Sequence, residues 1–576
     1  MRNSNKKIPL SRRGFLARSA CSSMGLTGVV STLAHMRLME GALANTVGGI
    51  TDYKAGIVLF HFGATDGNNM LMPGSGHPSR ANYDAHRGVL ALPLTSPGGT
   101  DDPHPIVADN LAAHASAPVG AENFVLHPRL PDMKTLFDAQ ELAFASNIGT
   151  LVVPTTAATY GQVPLPPQLF SHSDQQNQWQ SSIPDKPYQS GWGGRIADLL
   201  NPSFNEPDSK ISMSVSLSGI NDLQLGLLGD VTQYSVTDNG AISLNGYGTN
   251  YANALTDSGD ATSYTGNGNG RRLKAFQDIM NYTHDHLFEE GYNVVVRRAR
   301  ENEGFVGSAF AEADNWTHPT AVDNNGNPWG YIEGTFLLQS GINPASNNAL
   351  NNLPGLSRQL ISISKMIAGR RCLGNSRQLF FCSYGGHDTH QDQGGFGGGV
   401  YVPGDLDTNM TTLNNALKAF NDVMHELETY EASLSLPSGE AFNYDDFMLV
   451  SHSDFNRTFT PNGTVAGPSG SDHAWGTNVY MMGGDVKGKN VFGYYPDLDP
   501  TGNWTTPGSS RGRWVPTAAV EQFSAPLAKW LGIGNSEIAT IFPNLERFGD
   551  PFTAGYDPTD FDSILANANL DYISGI

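Results

Sequence analysis

Five short apolar runs limit the folds open to this chain more than anything else in it: Gly56–Phe62, Leu142–Ile148, Leu379–Cys382, Phe447–Val450 and Val479–Met482. Each is too short for a buried helix and reads as a buried strand. Between them lie segments with helical spacing. Leu130, Met133, Leu136 and Phe137 share one face, as do Leu413, Leu417, Phe420, Met424 and Leu427; Leu356–Ala368 and Arg271–Glu290 are amphipathic in the same way. Strands alternating with such helices predict an α/β chain with a largely parallel central sheet. In such a sheet the carboxyl ends of the strands gather at one edge, where open α/β sheets place their sites.

The segments that flank these runs carry the same few side-chain types again and again. The first run leads into Asp66-Gly67. The third leads through Gly385-Gly386 into His387, Asp388, His390 and Asp392, the fourth into Ser453-Asp454-Phe455-Asn456-Arg457, and Asp472-His473 stands just before the fifth. Imidazole and carboxylate together are the ligand set of zinc, manganese or iron. Taken singly, each motif reads equally well as a polar turn; their recurrence at strand ends is what points to one shared pocket. After a Pro-rich loop, Ser171-His172-Ser173 opens another helix. A serine there caps the helix, and it also stands where N–H groups and the helix dipole favour a phosphate or sulfate.

The formal net charge of −21, from 34 Lys and Arg against 55 Asp and Glu, argues against nucleic acid and anionic membrane as partners. Residues 1–44 read as a twin-arginine export signal: Ser11-Arg12-Arg13-Gly14-Phe15-Leu16, a broken apolar stretch, then Ala42-Leu43-Ala44. That implies the twin-arginine translocase as a partner during export, a periplasmic or secreted location, and a mature domain over 45–576. No segment is a convincing transmembrane anchor. Residues 203–270 are rich in Gly, Asn, Ser and Asp, with the alternating run Ile211–Leu217, and predict β-hairpins and loops inserted over one end of the sheet. Cys372 and Cys382 are expected either as a disulfide or as two free thiols.

The ordered motifs resemble a family. Asp66-Gly67, His127-Pro128-Arg129-Leu130, Ser171-His172, Gly386-His387-Asp388-Thr389-His390, Ser453-Asp454-Phe455 with Arg457, Asp472-His473, Val515-Pro516-Thr517 and Trp530-Leu531-Gly532 succeed one another between Ala55 and Phe548. This order is similar to the exported domain-of-unknown-function family of the alkaline phosphatase and sulfatase superfamily. The resemblance implies a three-layer α/β/α sandwich holding two divalent metals, commonly zinc. Asp66, Asp388, His390, Asp454 and His473 match its metal ligands, and Ser171 its nucleophile.

The departures are specific. Asp388 and His390 are two apart where the active enzymes space them four apart, and Asp392 takes that position. Phe455 stands where an imidazole is usual. Gly76-His77-Pro78-Ser79-Arg80 is only a near-match to the sulfatase Cys-x-Pro-x-Arg. One metal site, zinc or manganese, is therefore expected rather than two. Two functions are compatible with this pattern. The first is a metal-dependent hydrolase of small anionic or polysaccharide-derived esters, with Ser171 (or Ser173) or a metal-activated water attacking and with His172 and Arg457 on the substrate anion. The second is a non-catalytic envelope binding or assembly module with a degenerate site. A metal-independent serine hydrolase lacks its Gly-x-Ser-x-Gly elbow.

Overall fold

The computed structural model describes residues 52–96, 98–99, 101–228, 231–237, 247, 251–256, 262–280, 302–552 and 570–575. The expected export signal and the second half of the predicted 271–290 helix, with His284 and His286, lie outside them. A central nine-stranded sheet is built from β1 (Lys54–His61), β2 (Leu142–Gly149), β3 (Ser214–Ser216), β4 (Tyr234–Ser235), β5 (Arg377–Tyr384), β6 (Phe447–Ser453), β7 (Thr477–Gly483), β8 (Val491–Gly493) and β9 (Ala518–Ala519). The order is β8-β2-β7-β6-β1-β5-β3-β4, with β9 also paired to β2. β1 lies between β5 and β6 and is parallel to both. All five apolar runs are strands of this sheet, and the chain is mixed α/β with a largely parallel sheet.

Alternate residues of each strand point to opposite faces. In β1, Ile57 and Leu59 join one core cluster while Val58 and Phe60 join another, all fully buried. On the first face pack α1 (Pro131–Asp138), α4 (Gly355–Ala368) and α5 (Asp405–Ala432). On the second face pack α3 (Trp192–Leu200) and α6 (Val520–Leu531). Burial on both faces explains why these strands read as continuous apolar runs rather than as alternation.

Two expectations need correction. β7 is not one of the parallel strands: it runs antiparallel to both β6 and β2. Its amino end, not its carboxyl end, therefore meets the edge where β1, β5 and β6 finish, which brings the residues just before it to that edge. The 211–217 run does not form a hairpin either. β3 and β4 extend the main sheet, each in parallel register. Cys372 and Cys382 are both free, Cys382 fully buried in β5. No helix among the described residues is long and apolar enough to cross a membrane.

Several imidazoles are sealed into this scaffold. His452 of β6 lies among the rings of Trp179, Trp192 and Phe523, with centroids 4.9, 5.8 and 5.9 Å away. Desolvation pushes His61 and His452 down to about 3 and His77 and His127 down to about 4. These groups stay neutral in the folded protein, while in the unfolded chain they take up protons below about pH 6.5. The unfolded state then binds more protons, so stability falls with falling pH, by up to about 1.4 kcal/mol per pH unit for each imidazole. Urea unfolding at pH 7.5, 6 and 5 should show a steady loss of unfolding free energy over that window. A flat profile contradicts the assignment of these residues as buried and neutral.

Candidate metal centre

Four donor atoms from three separate segments meet beyond the ends of β1, β5 and β6. His172 is the first residue of α2 (His172–Ser181). Asp388 and His390 come after β5 and the Gly385-Gly386 turn, and His473 precedes β7. The Nε2 atoms of His172 and His473 are 3.1 Å apart, and those of His390 and His473 are 2.9 Å apart. Asp388 Oδ1 lies 3.5 Å from His172 Nε2, 3.2 Å from His390 Nε2 and 3.7 Å from His473 Nε2.

Each imidazole is fixed from behind. His172 Nδ1 meets Asp454 Oδ2 at 2.5 Å, His390 Nδ1 meets Asp472 Oδ1 at 2.9 Å, and His473 Nδ1 meets the Phe170 carbonyl at 2.7 Å. All three partners are acceptors, so each Nδ1 carries the proton and donates it. In the neutral ring Nε2 is then a bare lone pair. The crowding of these nitrogens and the carboxylate oxygen is relieved either by a proton on one of the rings or by a metal cation at the centre. Tetrahedral zinc with ligand distances of about 2.0–2.1 Å gives ligand–ligand edges of about 3.3–3.4 Å. The three separations among His172, Asp388 and His473, 3.1 to 3.7 Å, scatter around that value. Hydrogen-bonded imidazoles backed by carboxylate or carbonyl are also what a metal needs to fix ring tautomer and orientation. The residues present fit a single divalent metal held by His172, Asp388 and His473, whose donor atoms all lie within 4.8 Å of one another; His390 Nε2 lies against Asp388 and His473 only.

Local backbone geometry makes this convergence possible. Gly63 has φ +102°, and a Cβ there would fall 2.6 Å from the Asp388 amide nitrogen. Only glycine lets the end of β1 pass so close beneath the ligand segment. The Gly63 N–H also donates to Asp454 Oδ2 at 3.2 Å, and Gln176 Nε2 donates to the same atom at 3.0 Å. On the other side, Thr458 N donates to the Asp472 carbonyl and Arg457 pairs with His473 in an antiparallel bridge. That pairing sets His473 and Asp472 in register with the segment leaving β6. Phe170 adopts a left-handed backbone, φ 72°, which for a bulky residue is strained and which accompanies its carbonyl bond to His473.

The electrostatics favour ligation. Burial alone would push the Asp388 carboxyl up, but the Arg457 guanidinium, donating from Nη1 to Oδ1 at 2.7 Å, holds it below the usual carboxylate range. Burial, together with the nearby His172, Arg457 and His390, pushes His473 below the ordinary imidazole range despite its bond to Phe170. Asp472 is held down to about 2: burial opposes this, and bonds from His390, Asn462 and Arg511 outweigh it. On the outer side the cluster is open, since Asp388 and His390 side chains are 47 % and 44 % exposed. An open side is what a catalytic metal site keeps for substrate.

Of the expected site residues, the structure gathers Asp388 and His473 around one point with His172, and places His390 against Asp388 and His473. His172, expected on the substrate, has the geometry of a ligand. Asp66 is not with them. Its Oδ1 accepts from Asn68 N at 3.1 Å, while its Oδ2 is taken by the guanidinium of Arg87 and the amide of Gln393; Asp66 and Arg87 side chains are both fully buried. A permanent internal cation thus occupies the carboxylate expected to bind metal. Asp454 stands one step back, orienting His172 rather than joining the cluster; its Oδ1 is buried without a partner among the described residues. Arg457 is fully buried and spends its Nη atoms on Asp388 and the Ser471 carbonyl, so it positions a ligand and has no free fork for a substrate. Asp392 is exposed in left-handed backbone, φ 53°, outside the cluster. Phe455, standing where an imidazole is usual, packs between the rings of His172 and His473 at 4.7 and 4.9 Å.

Ser171 is the N-cap residue of α2, yet its hydroxyl makes no capping bond. It donates instead to Asp174 Oδ2 at 2.5 Å, and Ser173 Oγ lies 3.4 Å away. Sequence reasoning points to neither Asp174 nor Arg87, and it assigns no orienting role to Asp472 or to the Phe170 carbonyl. Of these, only Asp472 has a visible signal, its place beside His473.

Purified protein should take up one zinc per chain. His473→Ala should abolish this, and Asp454→Asn should weaken zinc affinity by about 10–100-fold through loss of the support behind His172. Because the imidazoles must be unprotonated to bind, zinc affinity should fall as the pH is lowered. Stoichiometric, tightly bound zinc in His473→Ala contradicts the arrangement. No protein-family model matches the chain, and no curated protein matches it.

Proposed function

We propose that the protein is a metal-dependent hydrolase of phosphate or sulfate esters, built on an alkaline phosphatase-like α/β/α sandwich and working with one divalent metal, zinc or manganese. The observation that carries this reading is the convergence of the donor atoms of His172, Asp388 and His473, with His172 adjacent in the chain to Ser171. When bound, the metal supplies positive charge against the negative charge that develops on an ester oxygen. Ser171 Oγ attacks phosphorus or sulfur, and Asp174, already accepting its hydroxyl hydrogen, takes the proton as the bond forms. The ester oxygen leaves with its electron pair, and water later releases the acid from Ser171. Ser173 is the alternative hydroxyl. The substrate is a small anionic ester, including one cut from a polysaccharide. Residues 1–44 would direct the chain through the twin-arginine translocase to the periplasm or the exterior.

A second reading has its own support. The buried Asp66–Arg87 pair replaces one expected metal carboxylate with an internal ion pair, as suits an envelope binding or assembly module that kept the fold and one metal for structure. Turnover separates the two. Zinc- or manganese-loaded protein should hydrolyse p-nitrophenyl phosphate or p-nitrophenyl sulfate, lose activity on chelation, and lose about 10²–10⁴-fold in kcat on Asp174→Asn, with Ser171→Ala at least as damaging. No turnover of either ester by fully loaded wild type overturns the hydrolase reading.

A further inference from the structure

Among the described residues, Arg513 is the one arginine beside the metal centre whose side chain is hydrogen-bonded to no protein group. Its neighbours are committed: Arg457 to Asp388 and the Ser471 carbonyl, Arg87 to Asp66, and Arg511 to Asp472 and the Thr460 carbonyl. Asp472, the carboxylate in the field of Arg513, is already taken by His390, Asn462 and Arg511. The Arg513 side chain is half-buried, and its Nε is fully buried without a partner. Burial and the Arg511 charge push it below the ordinary arginine range; a guanidinium remains charged even so.

Its position is fixed. The guanidinium carbon lies 4.3 Å from the centroid of the Phe170 ring, a stacked arrangement that suits arginine. Phe170 is the residue whose carbonyl orients His473, and it directly precedes Ser171 and His172. The backbone beside Arg513 is rigid as well. Trp514 is fully buried, its indole N–H donates to Asn68 Oδ1 at 2.9 Å, and its carbonyl accepts from Gly476 N at 2.9 Å. An unpaired, partly desolvated cation is thus held by the same residue that anchors a metal ligand and leads into the reactive hydroxyl.

We propose that Arg513 binds the charged end of the substrate, its guanidinium donating to the non-bridging oxygens of the phosphate or sulfate group at the metal centre. The proposal rests on the reading of the site as an ester hydrolase, and it gives Arg513 the anion contact that the sequence suggests for Arg457. Planar, paired donation to a tetrahedral oxyanion is what a guanidinium does best.

The test is calorimetric titration of inorganic phosphate and of inorganic sulfate into wild type, Arg513→Met and Arg513→Lys, each zinc-loaded and each metal-free, with zinc content measured alongside. Methionine keeps the apolar contact with Phe170 and removes the charge. Wild type should bind one oxyanion per chain. R513M should bind it about ten- to a hundredfold more weakly, R513K should recover part of the loss, and zinc content should stay the same in all three. Whichever anion binds tighter identifies the ester class. R513M that keeps its zinc and binds both anions as wild type does overturns the proposal, as does zinc-loaded wild type that binds neither. Wild type that holds no zinc overturns the metal centre instead, and the arginine is then judged by the same comparison on the metal-free proteins.

Discussion

Everything at the working edge of this molecule answers to the crowding of the donor atoms of His172, Asp388 and His473, 3.1–3.7 Å apart. A folded chain gains from such a meeting only when a ring proton or a metal cation relieves it. The arrangement is nonetheless over-determined. Asp454, Asp472 and the Phe170 carbonyl each claim one Nδ1 proton, so the rings cannot turn those N–H groups inward without giving up three hydrogen bonds, two of them half-buried. Each such bond to a charged acceptor is worth about 1.5–3 kcal/mol. The donors are therefore aimed in advance, in an arrangement that suits the proposed metal.

Charge is distributed around this centre in layers. Arg457 lies fully buried behind Asp388 and keeps that carboxylate ionised, and Arg511 does the same for Asp472, which in turn holds His390. Arg87 neutralises Asp66 deeper in the fold. Breaking a buried pair of that kind strands a charge and costs about 3–5 kcal/mol, so the Asp66–Arg87 pair is a structural commitment and not a vacancy for a second metal. The three arginine–carboxylate pairs balance the charge around the candidate metal centre.

The scaffold is largely legible in the sequence because burial on both faces writes itself as unbroken apolar runs, and β1, β2, β5, β6 and β7 all announce themselves that way. The direction of β7 is not legible. An apolar run reads the same in either direction, and the Gly/Pro-rich stretch before it is compatible with both. Asp388, His390 and His473 are recognisable from their place at strand boundaries. Asp66 misleads because its partner, Arg87, sits in a segment with no pattern linking it to the strand. The ligand geometry of His172 depends on the left-handed turn at Phe170, a position where sequence rules look for glycine or asparagine. The Ser171–Asp174 bond is hidden because a serine at a helix start is expected to bond backbone, and here it bonds a carboxylate three residues on.

X-ray absorption spectroscopy of the zinc-loaded protein at the zinc edge tests the central claim most directly. The account predicts a first shell of nitrogen and oxygen only, at about 2.0–2.1 Å, with the multiple-scattering pattern of two imidazoles, reduced to one in His172→Ala. A shell containing sulfur, an all-oxygen shell or a pattern unchanged in His172→Ala would contradict it.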